Sequence, residues 1–285
     1  MTSGSVVTAT KGGKSVTGTA VDGVCVLTVP EAGTWTVSAT LGGKNTPAQT
    51  VTVKSQWEAA LEYGTPLGEL AVGSSVFTNV NGARTEFLVV QQGKPSDIYD
   101  DRCNGTWLLM KDVYENRQWH SSYVNDYANS TIHSYLNSTF LAMFDSNIQK
   151  AIKQVKLPYR AGSGYEKTVT SGASGLSAKI FLLSSTEVNL VHGYEPTNEG
   201  ACLSYFSGTA QNGNDTKRVA YLNGSAADWW LRSPYCNSSY GSQSALLVVS
   251  GGFWGGNYCS FSRGIRPALV LPSTLLVSDD GTISA

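Results

Sequence analysis

The sequence predicts an α+β chain in which a small all-β sandwich module precedes a larger unit of strands, few helices and long irregular loops. Three observations predict it. Residues 1–54 carry short alternating apolar runs parted by glycine turns. Residues 131–157 carry the clearest helical spacing. Residues 192–226 carry little periodicity, as expected of long loops held by a scaffold. A length of 285 residues allows two domains. The expected boundaries are 1–54 for the module, 55–67 for a linker and 68–280 for the main domain.

The elements follow in chain order. In the module, Val24, Val26 and Leu27 lead as a strand towards Pro30, and Gly33 marks a turn. Trp35, Val37 and Ala39 alternate with Thr36, Ser38 and Thr40, which gives a strand with one wet face. Gly42-Gly43 is a hairpin turn, and Val51 and Val53 alternate again. In the linker, Trp57 to Leu61 could hold one helical turn before Gly64, Pro66 and Gly68 break it.

In the main domain, Val76 and Phe77 enter a hairpin, Asn81-Gly82 turns it and Phe87 to Val90 return as a buried strand. Trp107 to Met110 is a further apolar strand. Ser130 or Thr131 caps a helix whose Ile132, Tyr135, Leu136 and Phe140 share a face. A second helix covers 145–157, with Asp145 or Ser146 as cap, Ile148, Ile152 and Val155 on its apolar side, and Pro158 as its stop. Residues 160–179 are a Gly- and Ser-rich loop, and Ile180 to Leu183 is a core strand. Leu246 to Val249 and the run after Pro267 are the last strands, Pro267 suiting an edge or a strand start.

Composition narrows the function. Charged residues make up 14% of the chain, against the roughly 25% usual for soluble domains. The net charge is -1, and no Lys/Arg cluster offers the counter-charge that nucleic acid needs. Apolar runs fall short of a membrane span, so no insertion is expected. The first residues lack the basic and apolar parts of a secretory signal, which points to synthesis in the cytoplasm. Cys25, Cys103, Cys202, Cys236 and Cys259 form no CxxC pair, and His120, His133 and His192 are scattered, so neither a zinc site nor any other cofactor is expected. A Cys236–Cys259 bridge is open, with reduced, partly buried thiols as the plainer reading. His133 on a helix without partner ligands reads as an ordinary packed or surface histidine.

The module's stretch from Asp22 to Val53 resembles the Ig-like or carboxypeptidase-regulatory-like modules of bacterial surface and phage tail proteins. The main domain carries a second resemblance, through Asp228 to Pro234 (DWWLRSP), the strand around Leu246 to Gly252, and the closing Arg263 to Leu271 (RGIRPALVL). With the early hairpin, the helices and the strand near Ile180, these are similar to C-type-lectin-like domains of bacterial and phage proteins, whose fold formylglycine-generating enzymes share. The resemblance implies a C-type-lectin-like fold over residues 68–272, with chain ends meeting in a sheet and long loops covering one side.

A sharper form of this resemblance is to variable proteins of diversity-generating retroelements. There, adenines of AAC or AAT codons are replaced at random, which yields Asn, Ser, Tyr, Gly, Phe, Cys and Asp and never a stop. Tyr235, Cys236, Asn237, Ser238, Ser239 and Tyr240, then Asn257, Tyr258, Ser260, Phe261 and Ser262, have that palette. Trp254 and Gln243 fall outside it and would be template-encoded or outside the targeted set. Tyr and Trp supply rigid contact area, and Ser, Gly and Asn adaptable hydrogen bonds, as in antibody loops. The candidate ligand-binding residues are therefore Tyr235, Asn237, Tyr240, Phe253, Trp254, Asn257, Tyr258 and Phe261, expected to share one face. Trp229, Trp230, Arg232 and Arg266 read as structural: two core tryptophans, with one arginine meeting loop carbonyls or a carboxylate and the other tying a loop down.

No local motif places a nucleophile beside a base, so no enzyme is expected. The Cys236/Cys259 pair only loosely echoes the formylglycine-generating cysteines, and an oxidoreductase is set behind. Glu195-Pro196 is followed by Thr197, unlike the calcium-site loops of sugar-binding lectins, and the matching Trp-Asn-Asp strand is absent. The expected partners are a bacterial surface protein or glycan and other phage tail proteins, on a virion or a bacterial surface. A homotrimer is open, because tail fibres commonly trimerise. The competing reading is a structural tail component that only decorates.

Overall fold

The computed structural model describes residues 2–54, 64–239 and 242–285. The proposed helical turn at Trp57 to Leu61 lies outside them, as does Tyr240. The chain divides into two compact units between Gly64 and Thr65. Together they form a mixed α+β architecture with several sheets and few short helices.

The first unit is one antiparallel sheet. Its strands are β1 (Val6–Lys11), β2 (Lys14–Thr19), β3 (Gly33–Leu41), β4 (Lys44–Asn45) and β5 (Gln49–Val53), in the order β2-β1-β3-β4 with β5 also on β3. Gly12-Gly13 and Gly42-Gly43 make its two tight turns, all four with positive φ, as two-residue hairpins require. Val7 and Ala39 face each other across β1 and β3, and with Ala9 and Trp35 they form a small core. Two expectations are corrected. No second sheet stacks on this one among the described residues, so it is a single sheet and not a sandwich. Residues 25–32 are not a strand: they run irregularly past β2, leaving Val24 64% and Val26 86% exposed. Backbone pairing is taken by β1 and β3 instead, and Trp35 donates from its indole to the Glu31 carbonyl at 3.1 Å.

The second unit begins with β6 (Thr65–Pro66). The hairpin β7 (Ser75–Val80) and β8 (Ala83–Gln92) turns at Asn81-Gly82, where both φ are positive. Then come β9 (Thr106–Met110), β10 (Glu115–Gln118), α1 (Thr131–Tyr135), α2 (Ser146–Ala151), β11 (Val155–Leu157), β12 (Leu176–Ala178) and β13 (Ile180–Phe181). The pair β14 (Tyr221–Leu222) and β15 (Ser225–Ala226) precedes β16 (Trp229–Pro234), β17 (Ser244–Val248), β18 (Trp254–Tyr258), β19 (Ser262–Ile265) and β20 (Ala268–Leu271). The chain closes with β21 (Leu276–Val277) and β22 (Ile283–Ser284).

Two five-stranded sheets dominate this unit, ordered β13-β20-β9-β8-β7 and β10-β19-β16-β17-β18. Their inner strands β9, β16, β17 and β20 are buried throughout, so β9 and β20 read as nearly continuous apolar runs. Alternation still sorts their side chains. Trp230, Leu247 and Leu269 join a core with the helical segment's Ile132, Leu136 and Phe140. Trp229, Leu246 and Val270 join another with Val188, Leu203, Phe206 and Ala220, from irregular chain. The small sheet β22-β21-β6 brings the start and end of the unit together.

The helices differ from expectation in length. Ser130 caps α1, its hydroxyl accepting from the His133 amide at 3.1 Å. The helix then widens into a π turn at Leu136–Phe140 and tightens at Leu141–Met143. The second helix stops at Ala151, not near 157. Val155 and Leu157 leave it to pair with Ala178 and Leu176 in a short sheet, because strand pairing buries both better than a lone exposed turn would.

Candidate ligand-recognition site

The site is built on β16, whose six residues are all buried. Arg232 is fully buried and carries the centre of a polar network. Its guanidinium binds Glu187 through two bonds, of 2.5 and 2.7 Å. It also donates to the carbonyls of Pro158 at 3.2 Å, Leu182 at 3.1 Å and Glu199 at 3.2 Å. Arg232 thus meets both a carboxylate and loop carbonyls. Tyr99 donates its hydroxyl to Glu187 at 2.8 Å. Ser233 donates to the Glu199 carboxylate while accepting from the Ser185 amide at 2.8 Å. Burial pushes the Glu199 carboxyl up to about 7, against the pull of Arg232 and Ser233.

Five further side chains pin the neighbouring backbone. Trp229 and Trp230 are buried and donate to the carbonyls of Arg218 and Arg117, each at 2.9 Å. Arg266 donates to the Met110 carbonyl at 2.9 Å, its guanidinium 5.0 Å from the Trp229 ring. Arg218 gathers the carbonyls of Ala210 at 2.8 Å, Gly213 at 2.7 Å and Gly252 at 2.7 Å, fixing the turn that enters β18. Arg160 binds the backbone and side-chain oxygens of Asn125, each at 2.8 Å, and the Asn125 amide donates to Ser242 at the start of β17.

Above this frame lies β18, an edge strand. Its register against β17 sets Trp254 opposite Val248, Gly256 opposite Leu246 and Tyr258 opposite Ser244, all on one side. Tyr235 lies flat over Gly256: a Cβ there would sit 3.0 Å from the Tyr235 ring. Two aromatic groups result. In the first, Tyr235 meets Tyr194 edge-on at 5.3 Å and Trp254 at 6.3 Å, and Trp254 stacks on His192 at 4.1 Å with the planes 11° apart. In the second, Tyr258 meets Tyr123 at 5.5 Å and Phe261 at 5.7 Å. Tyr123, Tyr258 and Phe261 are 52%, 37% and 45% exposed. Between the groups a cleft of about 240 Å³ is lined by Tyr235, Ser244, Gly256, Asn257 and Tyr258. None of these carries a charge.

Of the expected residues, Tyr235, Asn257 and Tyr258 line this cleft, and Trp254 and Phe261 stand beside it against Tyr235 and Tyr258. Phe253 is half-buried beside Trp254, at 5.6 Å. Asn237 lines no part of the cleft; its side-chain oxygen accepts from the Ser239 amide at 2.9 Å and steadies its own turn. Sequence reading missed Tyr123, His192 and Tyr194, which come from distant loops. It also missed Glu187, Glu199, Arg160 and Arg218, whose only signal was charge set within apolar or loop-like stretches of a chain poor in charge.

The other candidate groups are placed elsewhere. All five cysteines are free, and burial pushes the Cys236 and Cys259 thiols up to about 12. Cys236 belongs to a wider hollow of about 670 Å³, lined also by Tyr165, Glu166, Lys167, Thr168, Thr197 and Ser238. His133 packs 5.2 Å from Tyr127, and burial lowers its pKa. Burial also holds the His192 ring down, at about 4. Among the described residues, no three His, Cys, Asp or Glu side chains gather to hold a metal, and no helix is long and apolar enough to cross a membrane.

Residues 104–273 match the family model described as a domain of unknown function, DUF6273. No curated protein and no solved structure matches the chain.

Proposed function

The chain belongs to the DUF6273 family, and we propose that it is a non-enzymatic recognition protein whose ligand-binding surface is the aromatic face around β18. One observation carries the reading. Exposed Tyr123, Tyr194, Tyr258 and Phe261 and half-buried Tyr235 and Trp254 flank an uncharged cleft, while buried arginines anchor the backbone below. Rigid aromatics over a fixed frame suit binding, because few rotamers are lost when a ligand lands.

The wider context is part of the same proposal. The sheets, helical layer and meeting ends support a C-type-lectin-like fold, with residues 235–262 as the varied segment of a retroelement-diversified protein. The protein would act at a phage tail or a bacterial surface, displayed by the first unit, as one chain of a trimer if it is a tail fibre. Its ligand would then be a component of a bacterial surface.

The test is binding of fluorescently labelled full-length protein to a panel of bacterial strains. A Tyr123→Ala, Tyr258→Ala, Phe261→Ala triple variant with an unchanged melting temperature should lose the cells that the parent binds. Equal binding by both would remove the surface from consideration, and no bound strain would favour a structural tail component. Sequencing the codons for 228–271 in the source population tests the diversification: variation should concentrate at positions that are AAC or AAT in a nearby repeat.

A further inference from the structure

We propose that the cleft between Tyr235 and Tyr258 takes a single ring of an uncharged sugar, which makes the ligand a neutral glycan. The inference rests on the recognition reading and names its substrate class. Size is the first argument. At about 240 Å³ the cleft is smaller than the roughly 300 Å³ at which drug-sized pockets begin. It has room for one ring, not for a run of peptide side chains.

Chemistry is the second argument. The lining offers two phenol rings, the Asn257 amide and the Ser244 hydroxyl. Asn257 uses its carbonyl oxygen on the Tyr258 amide, at 2.9 Å, and its NH₂ group makes no bond among the described residues. A sugar ring has an apolar face of C–H groups that packs on an aromatic face, and a rim of hydroxyls that accept from an amide and exchange bonds with a serine. A phosphate, uronate or sialate would enter with a full charge and find no cation in the lining to meet it, which is costly in a half-enclosed site. Gly256 is what makes the space: its missing side chain lets Tyr235 lie on the strand and open the cleft beside it.

The competing occupant is a peptide added to the open edge of β18. Strand addition gains specificity from pockets for alternate side chains. Gly255 and Gly256, at the middle of β18, supply no side-chain walls for such pockets. The observations therefore favour the sugar.

The experiment uses the full chain against an array of uncharged oligosaccharides (malto-, cello-, manno- and chito-hexaoses) and their sulfated, sialylated or uronate counterparts. Hits are measured by saturation-transfer NMR and tryptophan fluorescence. At least one uncharged series should bind, and the charged ones should not. Tyr258→Ala should weaken that binding about tenfold or more, and Tyr258→Phe much less. Gly256→Val should abolish it, because the new Cβ meets the Tyr235 ring at 3.0 Å and pushes it into the cleft. Melting temperatures of the variants confirm folding, and if Gly256→Val fails to fold, Tyr258→Ala decides alone. No binding of any uncharged sugar at millimolar concentration overturns the proposal, as does preference for the charged series or equal binding by parent and Tyr258→Ala. If a bacterial polypeptide binds instead and Tyr258→Ala abolishes that, the sugar assignment falls while recognition at this surface stands.

Discussion

Strands β16 and β18 lie two places apart in one sheet, separated only by β17, and they are opposites. Every residue of β16 is buried, and its single arginine makes two bonds to a carboxylate and reaches three carbonyls. No residue of β18 is fully buried; two are glycines, and its aromatic side chains mostly meet other aromatics. The first strand cannot change without leaving charge stranded in the core. Apart from its two glycines, the second can change side chain by side chain, because few of its other side-chain atoms are needed by the fold. A sheet can thus give stability to one strand and freedom to its near neighbour.

The sharpest way to break the comparison is Arg232→Met. Removing one partner of a buried ion pair costs about 3–5 kcal/mol, so this variant should melt far below the parent in a thermal or urea unfolding measurement. Gly252→Ala is next. Gly252 has φ of 80°, and a Cβ would come within 2.1 Å of the Asp215 carbonyl oxygen, so the turn into β18 must shift. A loss of about 1–3 kcal/mol is expected by urea unfolding.

The two regions should also differ in their pH dependence. Glu199 in the frame is raised from 4.5 to about 7, so the folded state holds its proton more tightly than the unfolded state. That contribution is full below about pH 4.5 and is lost as pH rises towards 7. His192 beneath the aromatics is lowered from 6.5 to about 4, so its contribution is full above about pH 6.5 and is lost as pH falls towards 4. His133 shifts in the same direction as His192. The parent should therefore show opposing slopes between pH 4.5 and 6.5. Glu199→Gln should leave stability that only falls on acidification, and His192→Gln should weaken that fall, each read from melting curves across pH. The smallest effect is expected at the surface: Tyr258→Ala or Phe261→Ala should change stability by about 0.5 kcal/mol or less.

Much of this was legible in the sequence where local rules decide. Asn81-Gly82 and Gly42-Gly43 have the residues that two-residue hairpins demand, and Ser130 has the side chain a helix start needs. Trp229 to Pro234 also stood out, because apolar density beside one arginine suggests a buried pair. What stayed hidden depends on distant partners. Val155 and Leu157 continue a helical spacing, yet they pair with Leu176 and Ala178 across a loop that no periodicity announces. Val24 to Leu27 reads as a strand by composition, but its one bridge among the described residues is the local pair Val21–Val24. At the site, Tyr235, Trp254 and Tyr258 were visible as an aromatic palette. Tyr123, His192 and Tyr194 were not, because they reach the cleft only through loops whose course is set by Arg160, Arg218 and Glu187.

The small sheet β22-β21-β6 has a mechanical consequence. Thr65 and Val277 face each other in adjacent strands, so the unit's first strand is clamped to its penultimate one, with the last strand on that one's far side. A pull applied between the two ends of this unit is borne by that clamp together with the bridge between Phe77 of β7 and Thr282. Tension on a tethered molecule would thus bypass β18, and the cleft would keep its shape under load until the clamp gave way.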